Sequence, residues 1–249
     1  MKIPKTKEKR KSPRNLEACR LYGILDTACL AGRDPARVAI WMMEGGVDIL
    51  QIRAKHSSPS EIRTMAEAVL IVTRPAGIPL IVNDFPDVAA EVDADGVHIG
   101  QDDGSVVEAR KIVGPHKWIG KSTHSMEQAL TAENEKADYI GVGPVFATPT
   151  KPDYPPVGLD LVQRVSRKLK IPFFCIGGIK IENAPEVLAS GARRLVVVSG
   201  ILQASDITDY CRNLKMMLKD SMAGQAGLQI KPPSMPRRMD GKPFALTIS

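Results

Sequence analysis

Residues 79–103 read PLIVNDFPDVAAEVDADGVHIGQDD, and their pattern decides how the rest of the chain is arranged. PLIVND is an apolar run closing on Asn83-Asp84, DVAAEVDA is a short helical segment, and GVHIG is a second apolar run leading into Gln101-Asp102-Asp103. That is strand, helix, strand. Parallel neighbours in one sheet lie about 4.8 Å apart, so their C-terminal ends deliver Asp84 and Asp103 to one rim. Two carboxylates suit a hard cation such as Mg²⁺, which takes one or two of them, keeps several waters and bridges to substrate phosphate.

The same alternation extends in both directions. LYGILD (21–26) and DILQIRA (48–54) read as strands with DPARVAIWMMEGG (34–46) helical between them. The segment 58–77 opens on Ser58 three residues before Glu61, a capping-box spacing in which each residue satisfies the other's backbone N–H, and stops at Pro-Ala-Gly. Downstream, KWIGKST (117–123), DYIGVGPVF (138–146), IPFFCIGGI (171–179) and RRLVVVSG (193–200) are strands. Helical patterns occupy 105–114, 125–137, 158–170, 181–192 and 204–220. Eight strand–helix units in roughly 200 residues predict a single α/β domain, a (β/α)₈ TIM barrel. The strands are short apolar runs rather than alternating ones, as parallel strands covered on both faces require. No unit carries G-x-G-x-x-G between strand and helix, which argues against a dinucleotide site.

Composition sets the outer limits. The chain is 43% hydrophobic and 25% charged, a balance that supports a sizeable core. No apolar run approaches the about 18 residues of a membrane span, and the N-terminus lacks a secretory apolar region. Cys19, Cys29, Cys175 and Cys211 show no CxxC or metal-ligand spacing, so they read as reduced thiols of a cytoplasmic protein. The net charge of +6 is a tail property: residues 1–14 hold seven Lys/Arg and one Glu, and the remaining 27 bases balance 27 acids. We therefore expect a disordered basic tail over 1–14, the barrel over 15–220 and a loose tail over 221–249. Neither a membrane nor a nucleic acid is the expected partner; homo-oligomerisation stays open.

Chemistry in such a barrel sits where the strands end. Strand two ends in Gln51-Ile52-Arg53-Ala54-Lys55, and alternation projects Gln51, Arg53 and Lys55 together. Arg53 offers a planar fork for phosphate oxygens and Lys55 a mobile point charge. With Asn83, Ser122 and Lys151 at other strand ends, and a cation on Asp84 and Asp103, they suit a diphosphate. Gly178 and Val198-Ser199, at the ends of strands seven and eight, suit a single phosphate bound by backbone N–H groups. One diphosphate and one monophosphate in one rim suggest two phosphorylated substrates being joined. Lys121 alternates away from Ser122, toward the barrel–helix interior. Asp102 reads as a helix N-terminal acid, and His98 as a packed or substrate-lining histidine rather than a metal ligand.

QIRAK, VNDF, ADGVHIGQDD, GKSTHS, DYIGVGPVFATPTK, CIGGI and VVVSG, in that order and each at a strand end, resemble the thiamine-phosphate synthase family over about residues 21–218. The resemblance implies small phosphorylated substrates and transfer of an aminopyrimidine-methyl group from its diphosphate to a thiazole phosphate, plain or carboxylated, with Mg²⁺ as cofactor. It implies that Gln51, Ile52, Arg53, Ala54, Lys55, Asn83, Ser122 and Lys151 hold the pyrimidine diphosphate. Arg53, Lys55, Lys151 and Ser122 would act on the leaving group and Asp84 and Asp103 on the metal. Thr148, Pro149, Thr150, Gly178, Val198 and Ser199 would hold the thiazole phosphate. Two alternatives share the fold: a thiazole tautomerase, to which a histidine near His124 would matter, and a phosphate-binding barrel without catalysis.

Overall fold

The computed structural model describes residues 15–148 and 154–227; the basic segment 1–14, residues 228–249 and the predicted site residues Pro149, Thr150 and Lys151 lie outside the described residues. A 3₁₀ turn at Leu16–Ala18 leads into β1 (Leu21–Asp26), α1 (Pro35–Glu44), β2 (Ile49–Arg53), α2 (Pro59–Ala76), β3 (Leu80–Asn83), α3 (Pro86–Glu91), β4 (Gly96–Ile99) and α4 (Val106–Val113). The second half runs β5 (Trp118–Thr123), α5 (Met126–Asn134), β6 (Tyr139–Val142), α6 (Gly158–Lys168), β7 (Phe173–Cys175), α7 (Ala184–Ala189), β8 (Leu195–Val197), α8 (Ser199–Leu202) and α9 (Ile207–Gly227). The strands close in chain order, all parallel, with Leu21 of β1 opposite Leu195 of β8. This is the TIM barrel expected from the alternation. Among the described residues no helix is long and apolar enough to cross a membrane.

Strand alternation divides the core in two. Tyr22 and Ile24 point into the barrel with Ile49, Ile81, Tyr139, Phe174 and Val196, and Leu16 and Cys19 of the N-terminal segment join that cluster. Leu21 and Leu25 face the other way, among Val38 and Met42 of α1. Fully burying one such side chain contributes roughly 1.5–3 kcal/mol, so this double layer is the main source of stability. Asp48 fastens the base of the barrel: buried, it accepts from the Arg20 and Leu21 N–H groups at 2.8 and 3.0 Å and pairs with Lys215 of α9.

Helix ends follow the residues. Ser58 and Glu61 form the predicted capping box, and Ser105 with Glu108 forms a second; a cap of this kind contributes about 1 kcal/mol. Gly77 ends α2 in the left-handed region at φ 68°, which a side chain would resist. Several boundaries differ from expectation, among them the strand expected over 171–179, which is only Phe173–Cys175. β6 stops at Val142 rather than running to 146, because Pro144 has no N–H for the ladder. Val145 and Phe146 still donate to the Ile176 and Gly177 carbonyls, so the bend there stays tied to the residues that follow β7. The strand expected over 193–200 ends at Val197, and Ser199 already opens α8. α9 continues to Gly227, past the expected barrel end at 220.

Gly120 of β5 shows how tightly the interior is filled. A Cβ there would lie 2.2 Å from Cζ of Tyr139 and 2.4 Å from Nδ1 of His98. We predict that Gly120→Ala costs about 1–3 kcal/mol in chemical denaturation and displaces His98; a variant as stable as the parent would show that this packing is slack.

Candidate active site

The two acids of the opening stretch meet. Asp84 follows β3 in the left-handed region at φ 64°, and its N–H donates to the His98 carbonyl of β4 at 2.8 Å. Asp103, in the β4–α4 loop, turns back so that Oδ2 accepts from the Gly100 N–H at 2.8 Å. The two carboxyl groups share a hydrogen bond, and Lys55 forms an ion pair with Asp84. Burial first, then the contact with Asp103, pushes the Asp84 carboxyl up to about 6. Burial acts on Asp103 too, but the hydrogen bonds to Asp84 and Gly100 and the charges of Lys55 and Lys121 outweigh it and hold Asp103 below the usual range. Above about pH 6 two negative charges therefore face one another.

That donor set is all oxygen. Among the described residues no three His, Cys, Asp or Glu side chains gather as a metal cage, so a cation on this pair needs further oxygens from water or substrate. Mg²⁺ binds in that manner, through one or two carboxylates with substrate phosphates. The pair fits it.

Beside the acids, Arg53 donates from Nη1 to Asp26 Oδ2 at 2.6 Å, and Asp26 is almost fully buried at the end of β1. Arg53, Asn83 and Ser122 line one cavity at the C-terminal mouth of the barrel. Its floor is a hydrogen-bonded chain. Gln51 donates from Nε2 to the Tyr22 hydroxyl at 2.7 Å, which lies 3.0 Å from that of Tyr139. The Tyr139 hydroxyl is 3.3 Å from Nδ1 of His98, and His98 Nε2 is 3.0 Å from Ser122 Oγ. Burial raises both tyrosine pKa values, so the phenols stay neutral. On the opposite wall are Thr148, Gly178, Val198 and Ser199. Gly178 sits at φ 65°, where a Cβ would meet the Ala147 carbonyl at 2.7 Å; its own carbonyl accepts from Asn183 Nδ2 at 2.9 Å.

Gln51, Arg53, Asn83, Ser122, Thr148, Gly178, Val198 and Ser199 thus surround one space; Lys55 and the acid pair, which starts at the residue after Asn83, are not among its lining residues. Two need correction. The side chains of Ile52 and Ala54 lie in the core between barrel and helices, so only their backbone can serve a ligand. Strand alternation already implies this, since both flank Arg53 on the opposite face. The sequence reading passed over Asp26, Tyr22, Tyr139 and Asn183. Asp26 carried a signal, a carboxylate closing an apolar strand; the tyrosines look like ordinary core until the barrel closes. His124 also lines the cavity, with Nδ1 bonded to the Gly143 carbonyl and its ring 4.5 Å from that of Tyr154.

A family model described as thiamine monophosphate synthase matches residues 21–201 of this chain. The chain belongs to that family. The thiamine-phosphate synthase of Chloroflexus aurantiacus is 44% identical over 200 residues, covering 80% of this chain and 92% of its own length. That of Halalkalibacterium halodurans is 43% identical over 206 residues, covering 82% and 98%. The solved thiamine phosphate pyrophosphorylase of Pyrococcus furiosus superposes with a TM-score of 0.75 at 32% identity, over 82% of this chain and 97% of that one. As a thiamine-phosphate synthase family member, the chain is matched across its barrel, and the match stops short of both tails.

The acid pair has a consequence for stability. Because Asp84 has its pKa raised to about 6 in the folded chain, its favourable contribution is present below the unfolded carboxylate range and is lost as pH rises through about 6. We predict that, with chelator present, Asp84→Asn stabilises the fold by about 1–2 kcal/mol at pH 7.5 and not at pH 4.5. A destabilised variant at pH 7.5 in urea denaturation would contradict the electrostatic account.

Proposed function

We propose that this chain transfers a 4-amino-2-methyl-5-pyrimidinylmethyl group from its diphosphate to the ring nitrogen of 4-methyl-5-(2-phosphoethyl)thiazole, giving thiamine phosphate and diphosphate. The observation that carries this reading is that, in a chain of this family, Asp84 meets Asp103 directly after Asn83, while Arg53, Asn83 and Ser122 line a cavity that Gly178 and Ser199 also line. Asp84 and Asp103 would hold Mg²⁺, which when bound supplies positive charge to the diphosphate oxygens.

The chain's own residues do the rest. Asp26 fixes the Arg53 guanidinium through the 2.6 Å contact from Nη1, and the remaining donors of the fork would serve phosphate oxygens. Lys55 adds a point charge at the rim, and Lys151 would add a second. As the bond from the methylene carbon to the diphosphate oxygen breaks, its electron pair leaves with the diphosphate. The cationic side chains face the oxygens where that charge grows, which is usually the largest catalytic effect. The aminopyrimidine ring spreads the positive charge left on the carbon, so the old bond breaks ahead of the new one. The thiazole nitrogen then closes onto that carbon with its lone pair. No proton transfer is required at the reacting atoms, in keeping with floor phenols held neutral.

Gln51 and the backbone at Ile52 and Ala54 would bound the pyrimidine side. Gly178, Val198 and Ser199, with Thr148, Pro149 and Thr150, would take the thiazole phosphate. For the chain, which carries Cys19, Cys29, Cys175 and Cys211 without CxxC spacing, a reducing, cytoplasmic setting is part of this proposal. A second reading, the thiazole tautomerase, has His124 behind it, since that ring lines the same cavity.

Mixing both substrates with and without Mg²⁺ separates the two: we expect metal-dependent formation of thiamine phosphate, whereas a tautomerase would ignore the metal and survive Asp84→Ala. We further predict that Arg53→Ala lowers kcat/KM for the pyrimidine diphosphate by about 10²-fold or more, with circular dichroism unchanged. Wild-type kinetics in that variant would remove Arg53 from the diphosphate site.

A further inference from the structure

The loop that carries Asp103 is held from β5 by two adjacent residues. Gln101 donates from Nε2 to the Ser122 carbonyl at 2.5 Å. Lys121 donates from Nζ to the Gly100 carbonyl and the Gly104 carbonyl, each at 2.7 Å. Those two carbonyls bracket residues 101–103. Gly100 in turn supplies the N–H that Asp103 Oδ2 accepts at 2.8 Å, and a Cβ on Gly100 would lie 2.7 Å from that same oxygen. The carboxylate therefore packs against a backbone whose own carbonyl is in the grip of Lys121.

Lys121 is 7% exposed on the helix-facing side of the barrel, between the fully buried Ile119 and Thr123 on the same face of β5. An ammonium at such a position costs desolvation; it is offset by the nearby carboxylates of Glu135, Asp103 and Asp102 and by the two hydrogen bonds to the loop. We propose that Lys121 is a positioning residue: its double hydrogen bond holds the 100–104 loop in the curl that presents Asp103 to Asp84, and so sets the affinity of the acid pair for a divalent cation. This rests on the reading of Asp84 and Asp103 as cation ligands. The clamp and the bare charge act in opposite directions. Removing a nearby positive charge would tighten cation binding, whereas releasing the loop would weaken it.

The test uses the full chain without substrates, with Mn²⁺ binding read by electron paramagnetic resonance and Mg²⁺ binding by calorimetry. Lys121→Met keeps the stem and removes the donors, Lys121→Arg keeps two donors, and Asp103→Asn is the control. Outer partners of ligands typically govern affinity by 10–100-fold, so Lys121→Met is expected to weaken Mn²⁺ and Mg²⁺ binding by about tenfold. Lys121→Arg stays close to wild type. In turnover, the half-saturating Mg²⁺ concentration rises in parallel for Lys121→Met and kcat recovers at saturating Mg²⁺, while KM for the thiazole phosphate does not move. A folded Lys121→Met with wild-type or tighter cation affinity overturns the proposal. If Lys121→Met does not fold, Lys121→Gln is judged by the same outcomes. If wild type and Asp103→Asn bind the cations equally, the cation reading itself fails, and the positioning role with it.

Discussion

Two carboxylates pressed against each other at the end of adjacent strands are the constraint on which this structure turns. Asp84 is set by a left-handed backbone and an N–H bond to the neighbouring strand, and Asp103 by a loop folded back onto Gly100. At neutral pH the arrangement favours ionised Asp103 and disfavours ionised Asp84. Burial and the mutual contact raise the Asp84 pKa, and Lys55 offsets only part of this from its exposed position. With Asp84 and Asp103 both ionised and offering only oxygen donors, the pair fits a small hard cation.

The barrel supplies rigidity for that site. Its interior is filled by aromatic and aliphatic side chains below, and the polar chain from Gln51 through Tyr22, Tyr139 and His98 to Ser122 caps the filling where the cavity begins. Such a connected network keeps buried polar groups satisfied and holds the ring orientations. The cationic side chains stand on the strand ends near the acids, and the glycine-lined wall stands across the mouth. Reacting groups brought in from the two sides would meet over the aromatic floor.

The fold was legible because its periodicities are long and repeated. β1 lies where LYGILD predicts it, and the Ser58–Glu61 cap starts α2 as read. Residues whose meaning depends on a strand end were also legible: Asp84, Asp103, Arg53 and Gly178 all reach the rim. What escaped depends on closure of the barrel. Tyr22 and Tyr139 are 117 positions apart, and nothing local links them before their hydroxyls meet. α8 spans four residues, too short for any helical period to show. The placement of Ile52 and Ala54 in the outer core follows from strand alternation alone, since both flank Arg53 on the opposite face.

The central claim is that Asp84 and Asp103 share one cation that faces the departing diphosphate. A crystal structure with Mg²⁺ and diphosphate measures this directly. We expect one ion bound by an oxygen of each carboxylate at about 2.1 Å, with diphosphate oxygens completing its shell and Lys55 turned toward the anion. Carboxylates swung apart, with the diphosphate held by cationic side chains and no ion between Asp84 and Asp103, would contradict the account.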